Sequence, residues 1–454
     1  MNTIVGLSTA LSNSAVNIIR ISGDKSLEII NKIFKTKETL KPNEIKYGFI
    51  KYCGEIYDEV LVSFMKSPKS YTGEDVIEIN CHGGILITNK ILDLTMKLGA
   101  KLAEPGEFTK RAFLNGKIDL TKAEAIIDLI YAKSDLELKC AMNQRTGKLY
   151  NKLNTIKEKM INIISQIEVI VDFEDEVEDV HKDNINDDIV KIRDEIKDIL
   201  KYKDQGMIIK NGINTCIVGK PNVGKSSLMN YLCNDTKAIV TDIPGTTRDI
   251  IEEKVDIGGV ILNLFDTAGI RESNDVVESI GINMAKEKIE DSDLILFVLD
   301  ITRNLDEEDI NILKFIENKN TIFLLNKCDE DQKLNYEDLL KVFGNKIENN
   351  LIKISVKNEI GFDNLRDIIK NKFLLEEIND NIDSIILTNK RHIEAFINCL
   401  NYLNDALESI NSSIPLDIVS IDIRKSLEYI MNITGEDVNE SIVDSIFSNF
   451  CIGK

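Results

Sequence analysis

One short motif limits what this 454-residue chain can fold into more than any other feature. The segment Gly219–Ser226 fits the pattern G-x-x-x-x-G-K-[ST], directly after the apolar run Ile213–Val218 and before the helix-like run Ser227–Leu232. Glycines let such a loop wrap closely around a phosphate, with backbone N–H groups and the start of the helix facing the anion. The order of strand, loop and helix therefore predicts a parallel sheet with a phosphate-binding loop at one edge.

Charged and hydroxyl side chains in and after this loop suit a nucleoside triphosphate. Lys225 is expected to reach the β- and γ-phosphates, and the Ser226 hydroxyl is expected to hold Mg²⁺. Further along, Thr247 of Gly245-Thr246-Thr247-Arg248-Asp249 can join the Mg²⁺ ligands only when a γ-phosphate is present. Hydrolysis would release that segment, so we interpret it as a switch.

Three later segments, each at the end of an apolar run or in a following loop, favour GTP over ATP. The first, Asp266–Gly269, can hold the Mg²⁺ shell and meet the γ-phosphate. The other two, Asn326–Asp329 and Ser355–Lys357, form the base pocket. In the second, an ionised Asp329 accepts hydrogen bonds from the N1–H and the exocyclic amine of guanine, which adenine does not offer. The segments are Asp266-Thr267-Ala268-Gly269, Asn326-Lys327-Cys328-Asp329 and Ser355-Val356-Lys357.

The residue after Gly269 bears on how GTP would be hydrolysed. It is Ile270, where many small GTPases carry the Gln that positions the attacking water. Other groups must therefore position the water and neutralise the developing charge. The candidates are Arg248, Arg271 and the acidic side chains between Arg271 and Glu278.

The hydrophobic pattern divides the chain into a multidomain α/β arrangement. Residues 1–118 alternate short strand-like runs with turns and predict an α+β domain, in which His82 is expected at a turn. Residues 119–210 have helical periodicity, residues 211–376 alternate strands and helices, and helical periodicity returns over 377–454. We therefore expect a helical domain in two parts, interrupted by an inserted nucleotide-binding domain.

Composition excludes several other classes of protein. A net charge of −20 argues against a grip on nucleic acid by the whole surface, so any RNA contact would use a local patch or a partner. The eight cysteines are scattered without a Cys-x-x-Cys pair, and no secretory signal is evident, which is typical of reduced cytosolic thiols. The longest apolar runs are strand-sized, far short of the roughly 20 residues of a membrane helix. We expect a cytoplasmic protein.

Motifs outside the nucleotide-binding segment narrow the assignment further. They are Arg20-Ile21-Ser22-Gly23, Tyr71-Thr72-Gly73-Glu74-Asp75-Val76, His82-Gly83-Gly84, Pro105-Gly106-Glu107-Phe108, Arg111-Ala112-Phe113-Leu114-Asn115-Gly116-Lys117 and Phe450-Cys451-Ile452-Gly453-Lys454. With these motifs, the whole chain resembles the bacterial tRNA-modifying GTPase family MnmE, also called TrmE. The central motifs are common to many GTPases, whereas the N-terminal set and the last five residues are specific to this family.

The resemblance implies three parts: an N-terminal folate-binding and dimerising domain, a helical domain, and a P-loop GTPase domain of the Ras-like type inserted into it. It also implies a homodimer that works with an FAD-dependent partner of the MnmG or GidA type, in a heterotetramer or larger assembly. Together they would place a carboxymethylaminomethyl group on C5 of the wobble uridine, position 34, of certain tRNAs. A formyl-tetrahydrofolate, such as 5-formyl-tetrahydrofolate, would be the one-carbon source.

Carried over residue by residue, the resemblance implies a folate site and an essential thiol. Arg20, Glu78, Lys117 and Lys454 match the family's folate contacts, and Cys451 matches a cysteine that the family requires. The chemistry is reasonable, because cations suit the glutamate carboxylate of a folate and Glu78 suits the N–H donors of its pterin. From the residues alone, Arg20 and Glu78 would be an ordinary surface cation and a strand carboxylate.

The resemblance also implies that K⁺ replaces an arginine finger when two GTPase domains meet. The matching K⁺ ligands are Asn222, Thr241, Ile243 and Thr246, the Mg²⁺ ligands are Ser226 and Thr247, and Glu278 matches the water-positioning acid. The residues expected to act in catalysis are Glu278, Asp266, Cys451 and Arg248. The full set expected to bind GTP is Asn222, Val223, Gly224, Lys225, Ser226, Ser227, Thr241, Asp242, Ile243, Pro244, Gly245, Thr246, Thr247, Asp266, Thr267, Ala268, Gly269, Asn326, Lys327, Asp329, Ser355, Val356 and Lys357.

The GTPase motifs alone leave a second hypothesis open. The chain could be a GTP switch that binds a partner, such as a ribosome-assembly factor, with hydrolysis serving only as a timer. The folate-site residues and the Cys451–Lys454 end fit only the tRNA-modification hypothesis. Binding of 5-formyl-tetrahydrofolate by residues 1–118 would separate the two.

Overall fold

The computed structural model describes residues 2–172, 180–235, 252–266, 288–334, 336–373, 384–451 and 453. The chain forms two compact units, which are described separately. The first contains Met1–Ile130, Gln144–Asp194 and Ala395–Lys454, and the second contains Tyr131–Asn143 and Glu195–Glu394. Among the described residues, no helix is both long and apolar enough to cross a membrane.

A seven-stranded sheet forms the N-terminal part of the first unit. Its spatial order is β3-β4-β5-β6-β2-β1-β7, and every neighbouring pair is antiparallel except β1 and β7. The strands are β1 (Ile4–Leu7), β2 (Ser14–Ser22), β3 (Phe34–Lys35), β4 (Ile45–Tyr52), β5 (Glu55–Met65), β6 (Val76–Gly83) and β7 (Lys101–Leu102).

Alternation along β2 and β6 decides which side chains face the core of this sheet. Ile19 and Ile21 on β2 are fully buried, as are Ile77 and Ile79 on β6. They pack with helices α1 (Ser26–Ile33) and α2 (Ile85–Lys97) in one apolar cluster. Because successive side chains of a strand point to opposite faces, the residues between these isoleucines lie on the other face of the sheet.

Helices form the rest of the first unit. The apolar stripe of the long helix Lys148–Asp172 is buried, from Leu149 to Ile167 in steps of three and four, as the helical periodicity predicts. The helices are α3 (Glu107–Leu114), α4 (Leu120–Tyr131), α5 (Asp135–Arg145), α6 (Lys148–Asp172), α7 (Val180–Leu200), α13 (Lys390–Asn411), α14 (Leu416–Thr434) and α15 (Glu440–Ser448), of which α4, α5, α7 and α13 include residues of both units. Phe447 and Phe450, at and after the end of α15, pack against Leu120 and Ala123 of α4.

The second unit is built around a six-stranded sheet of order β13-β12-β11-β8-β10-β9. All neighbours are parallel except the hairpin of β9 and β10, which turns at Gly258 and Gly259, both with positive φ. The strands are β8 (Ile213–Val218), β9 (Glu252–Asp256), β10 (Ile261–Asp266), β11 (Leu294–Asp300), β12 (Thr321–Asn326) and β13 (Leu351–Lys353). The helices include α8 (Lys203–Asn211), α9 (Lys225–Asp235), α10 (Glu307–Phe315), α11 (Tyr336–Phe343) and α12 (Phe362–Lys372).

Parallel pairing places the carboxyl ends of β8, β11, β12 and β13 along one edge of this sheet. The phosphate loop follows β8, and the predicted guanine segments follow β12 and β13. Ligands of open α/β sheets bind outside this edge. The multidomain α/β fold class is thus confirmed, with the nucleotide motifs grouped by topology.

One local expectation needs correction. His82 lies within β6, where it pairs with Val16 of β2, although the flanking glycines suggested a turn. Its ring Nδ1 is 2.6 Å from an Asp58 carboxylate oxygen, and this hydrogen bond raises the pKa of His82 above its ordinary value. The next residue, Gly83, is also part of the strand. A side chain would not fit there, because a Cβ on Gly83 would stand 2.1 Å from the Ser14 carbonyl oxygen.

Candidate functional site

The phosphate loop connects the end of β8 to the start of α9, as the motif predicts. Gly219 and Gly224 have φ values of 150° and 104°, which favour glycine. A Cβ on Gly219 would lie 2.5 Å from the carbonyl oxygen of Val298, and one on Gly224 would lie 2.2 Å from Nδ2 of Asn326. The two glycines therefore let the loop pass close to β11 and β12, and helix α9 begins directly after the second one.

The functional side chains of the loop lie at the first turn of α9. The Lys225 ammonium donates to the Lys220 carbonyl oxygen at 2.7 Å, so it already points back along the loop. Ser226 and Ser227 are exposed, whereas Val223 is buried under the loop. Orphan N–H groups at a helix start and a nearby ammonium together suit a polyphosphate.

Asn326, at the end of β12, joins the phosphate loop to both base segments. Its buried side-chain amide donates to the Val223 carbonyl oxygen at 2.8 Å and accepts from the Val356 backbone N–H at 3.3 Å. The next residue, Lys327, has a φ of 66°, and its ammonium donates to Asp300 at 2.6 Å. The predicted phosphate and guanine segments are therefore brought together by one side chain.

The carboxylate of Asp329 is suited to accept hydrogen bonds from a base. It is exposed, a hydrogen bond with the Ser355 hydroxyl lowers its pKa, and the charge of Lys357 acts in the same direction. An Asp carboxyl is ionised at neutral pH even at its ordinary pKa, and these contacts favour that form, so the group accepts and does not donate. Ser355 is itself fixed by backbone hydrogen bonds to Ile360 in both directions.

Part of the predicted nucleotide site lies outside the described residues. This holds for Thr241, Asp242, Ile243, Pro244, Gly245, Thr246, Thr247, Arg248, Thr267, Ala268, Gly269 and Glu278, and for Lys454 of the predicted folate site. The backbone of Asp266 is described. It ends β10 and pairs with Ile217 of β8, two positions before the first glycine of the phosphate loop.

A second candidate site lies on the exposed side of the N-terminal sheet. Arg20 and Glu78 are direct cross-strand partners on β2 and β6, and Glu78 Oε1 lies 2.9 Å from Arg20 Nε and 2.8 Å from Nη2. The guanidinium carbon is 5.1 Å from the ring centre of Tyr71 and 5.6 Å from that of Phe108. Two predicted folate residues are thus in contact, between aromatic rings that were not predicted as site residues.

Two residues after α15, Cys451 and Gly453, lie at this second site. The Gly453 carbonyl oxygen accepts from Nη1 of Arg20 at 3.2 Å and from the Ser8 hydroxyl at 3.3 Å. Gly453 has a φ of 94°, and a Cβ there would stand 1.9 Å from the Leu7 carbonyl oxygen, so no other residue fits without a shift. Cys451 is exposed, and its carbonyl oxygen lies 3.4 Å from the Gly106 backbone nitrogen.

A buried ion pair supports the loop that carries Tyr71. Arg111 of α3 is buried and donates to both carboxylate oxygens of Glu74, at 3.2 and 3.1 Å. Glu74 also accepts from the Ser22 hydroxyl at 2.6 Å. The predicted Lys117 lies at the edge of the same loop, where its ammonium donates to the Pro68 carbonyl oxygen at 2.9 Å.

Comparison with known proteins decides the family. The profile described as "GTP-binding protein TrmE N-terminus" matches residues 3–117, and "MnmE helical domain" matches residues 120–451. This chain belongs to the MnmE family of tRNA modification GTPases. The "tRNA modification GTPase MnmE" of Alkaliphilus oremlandii (strain OhILAs) is 44% identical over 461 residues, covering 100% of this chain and 99% of the relative. That of Acetivibrio thermocellus is 46% identical over 462 residues, with the same coverage.

As a member of the MnmE family, this protein is a GTP-hydrolysing enzyme of tRNA modification, which confirms the predicted GTPase activity.

Solved structures give a weaker likeness. The G domain of the T. maritima FeoB iron transporter is 26% identical, covering 36% of this chain and 98% of that chain, with a TM-score of 0.27. A point variant of Aquifex aeolicus Era bound to GDP.AlF4- is 27% identical, covering 42% and 66%, with a TM-score of 0.26. At these scores the likeness adds nothing to the assignment.

Replacing Asp329 with Asn is expected to weaken GTP binding by roughly 10²- to 10⁴-fold, because the amide presents a donor to guanine's own donors. The measurement is a titration with fluorescently labelled GTP. Asp331→Asn, an exposed acid two positions along the same loop, is the matched control and should bind normally. Unchanged GTP affinity in the Asp329 variant would rule out the assignment of this segment to the base.

Proposed function

We propose that this enzyme acts with an FAD-dependent partner of the MnmG or GidA type to place a carboxymethylaminomethyl group on C5 of uridine 34 of certain tRNAs. A formyl-tetrahydrofolate supplies the one-carbon unit. The observation that carries this proposal is the contact between Arg20, Glu78 and the Gly453 carbonyl oxygen, which brings the segment with Cys451 to the N-terminal sheet. A GTP switch without folate chemistry has no need of such a contact.

The described residues of the second site suit a folate. Arg20 is a fixed cation for a glutamate carboxylate, and Glu78 is an acceptor for the N–H donors of a pterin. The Arg20 and Glu78 side chains are 15% and 24% exposed, so each is reachable although already paired. Lys117 and Lys454 would add positive charge. The bound folate would supply the one-carbon unit, while these residues bind and orient it.

The GTP site suits the cations that the family uses. The exposed Ser226 hydroxyl at the start of α9 suits Mg²⁺, with Thr247 and Asp266 completing its surroundings, since Mg²⁺ prefers oxygen ligands. Asn222 is exposed in the phosphate loop at a φ of 65° and offers a side-chain carbonyl oxygen to K⁺. Thr241, Ile243 and Thr246 would supply the remaining oxygens. K⁺ would add positive charge beside the phosphates, and Glu278 and Arg248 would position water and balance charge.

The exposed face of β4 and β5 suits a second copy of this chain. Ile45, Tyr47 and Ile56 are each more than half exposed, and Phe49 and Leu61 are 37% and 46% exposed. Apolar side chains grouped on one sheet face mark a protein contact more often than a solvated surface. We therefore assign the homodimer contact to the N-terminal domain.

The domain division that accompanies this proposal has three parts. Residues 1–118 form the folate-binding and dimerising domain, 119–210 and 377–454 form the helical domain, and 211–376 form the GTPase domain. Because the net charge is −20, we assign most of the tRNA contact to the flavoprotein partner, in the cytoplasm.

Arg20→Gln and Gly453→Ala are each expected to weaken binding of 5-formyl-tetrahydrofolate to the full-length protein by about tenfold or more. The first removes the cation, and in the second the added Cβ, 1.9 Å from the Leu7 carbonyl oxygen, displaces the carbonyl oxygen that holds Arg20. Isothermal titration calorimetry measures the affinity. Lys32→Gln removes an exposed Lys32–Glu28 pair on α1 and serves as the control. Wild-type affinity in both test variants would place the folate elsewhere or exclude it.

GTP hydrolysis is expected to be faster in KCl than in NaCl at equal ionic strength, by up to about 10³-fold, the lower range of an arginine finger. Phosphate release at saturating GTP measures the rate. Asn222→Ala should remove the difference between the salts while retaining GTP binding. Equal wild-type rates in the two salts would exclude this role for K⁺.

Mass spectrometry of tRNA nucleosides from cells lacking this protein tests the whole proposal. We expect loss of the carboxymethylaminomethyl-uridine nucleosides, restored by the wild type but not by Cys451→Ser or Asp266→Ala. Cys53→Ser is the matched control, because Cys53 is also an exposed thiol. An unchanged nucleoside profile, with no redundant gene, would leave a GTP switch as the better hypothesis.

A further inference from the structure

A buried carboxylate outside every nucleotide motif lies at the carboxyl edge of the second sheet. Asp300 ends β11, next to Asn326 of β12, and is 8% exposed. Its carboxylate accepts hydrogen bonds from the Lys327 ammonium at 2.6 Å, from the Thr302 backbone N–H at 2.9 Å and from the Thr302 hydroxyl at 2.7 Å. Its strongest partner is therefore a residue of the guanine segment.

The charge of Asp300 is maintained despite its burial. Burial opposes ionisation, but the hydrogen bonds from Lys327 and Thr302 outweigh it and lower the pKa of Asp300. In the part of the chain that the structure describes, Lys327 is the one cation within 4.0 Å of this carboxylate. A buried carboxylate holds its counter-ion firmly, because separating the pair would leave an uncompensated charge.

This pair fixes a side chain whose backbone is already constrained. Lys327 follows the buried Asn326 and adopts the left-handed φ of 66° that residues other than glycine rarely take. Two positions later, Asp329 is the expected acceptor for the base. With its ammonium held by Asp300, the alkyl stem of Lys327 is confined to one path beside that position and can cover the face of a purine.

The loop that carries Asp300 is itself anchored to the phosphate loop. Lys220 forms an ion pair with Asp306, the N-cap of α10, and lies 3.4 Å from Glu308. Arg303 donates from Nη1 and Nη2 to the fully buried Asp309, both at 3.0 Å. The turn between β11 and α10 is therefore held to the phosphate loop by Lys220 and to α10 by Arg303, while Asp300 at its start holds Lys327 of the guanine segment.

We propose that Asp300 is a positioning residue for guanine-nucleotide binding, which acts by holding Lys327 against the base. The proposal rests on the assignment of Asn326–Asp329 to the base. It assigns no direct contact between Asp300 and the nucleotide. Because the base is common to GTP and GDP, the loss of Asp300 should weaken both equally and leave the hydrolysis step unchanged.

A double-mutant cycle with Asp300→Asn, Lys327→Gln and the double variant tests this in the full-length protein. Titration with labelled GDP and GTP should give a roughly tenfold weaker affinity for both nucleotides in Asp300→Asn, the effect of losing one charge-assisted hydrogen bond. In the Lys327→Gln background the same change should have no further effect, since its action passes through Lys327. The hydrolysis rate of Asp300→Asn at saturating GTP should stay at the wild-type value.

If the losses of nucleotide affinity in the two single variants add up in the double variant, the proposal is overturned. Asp300 would then act on the site without Lys327, as a merely structural residue does. Thr302→Val, which removes one weaker bond to Asp300, is the second variant if Asp300→Asn fails to fold, and its smaller loss should also vanish with Lys327→Gln. Asp363→Asn, on an exposed pair with Arg366, is the control. Wild-type GTP affinity in Asp329→Asn would instead show that the guanine assignment itself had failed.

Discussion

The side-chain amide of Asn326 is the contact on which the nucleotide site depends. One buried group donates to the phosphate loop and accepts from the loop after β13, so both loops are placed by the end of one strand. The close fit of Gly224 against this amide shows why the loop needs a glycine there. Removing the amide would leave the buried Val223 carbonyl without this partner, at a cost of about 1–3 kcal/mol, and would free the half-buried Val356 N–H as well.

The second site depends on a different constraint, the close approach of glycines to neighbouring backbone. A Cβ on Gly106 would lie 2.6 Å from the Phe447 carbonyl oxygen, and Gly453 lies directly against β1. Phe447 and Phe450 fill the apolar space beside α4, so packing brings the segment to the sheet and glycines let it approach. The Gly453 carbonyl oxygen then reaches Arg20.

Much of this arrangement follows from the sequence, and the rest depends on long-range packing. Period-two alternation puts Arg20 and Glu78 on solvent faces of their strands, and the strand β8 begins and ends where the apolar run does. The register that makes Arg20 and Glu78 direct partners is set by strand pairing, which no local pattern specifies. Short strands such as β3 and β7, with two residues each, carry no periodic signal. The Asp300–Lys327 pair escaped prediction because an acid at a strand end looks the same in sequence whether paired or solvated.

The contact between Arg20 and Gly453 also sets an order of events during synthesis. The two residues are 433 positions apart in the chain, so the strands that carry Arg20 and Glu78 emerge from the ribosome long before Gly453 is synthesised. At about 5–20 residues per second, the interval is roughly 20 to 90 seconds, during which Arg20 has Glu78 but lacks the Gly453 carbonyl oxygen. A chain that stops before Gly453 therefore lacks the acceptor that completes the surroundings of Arg20, whatever the state of its sheet.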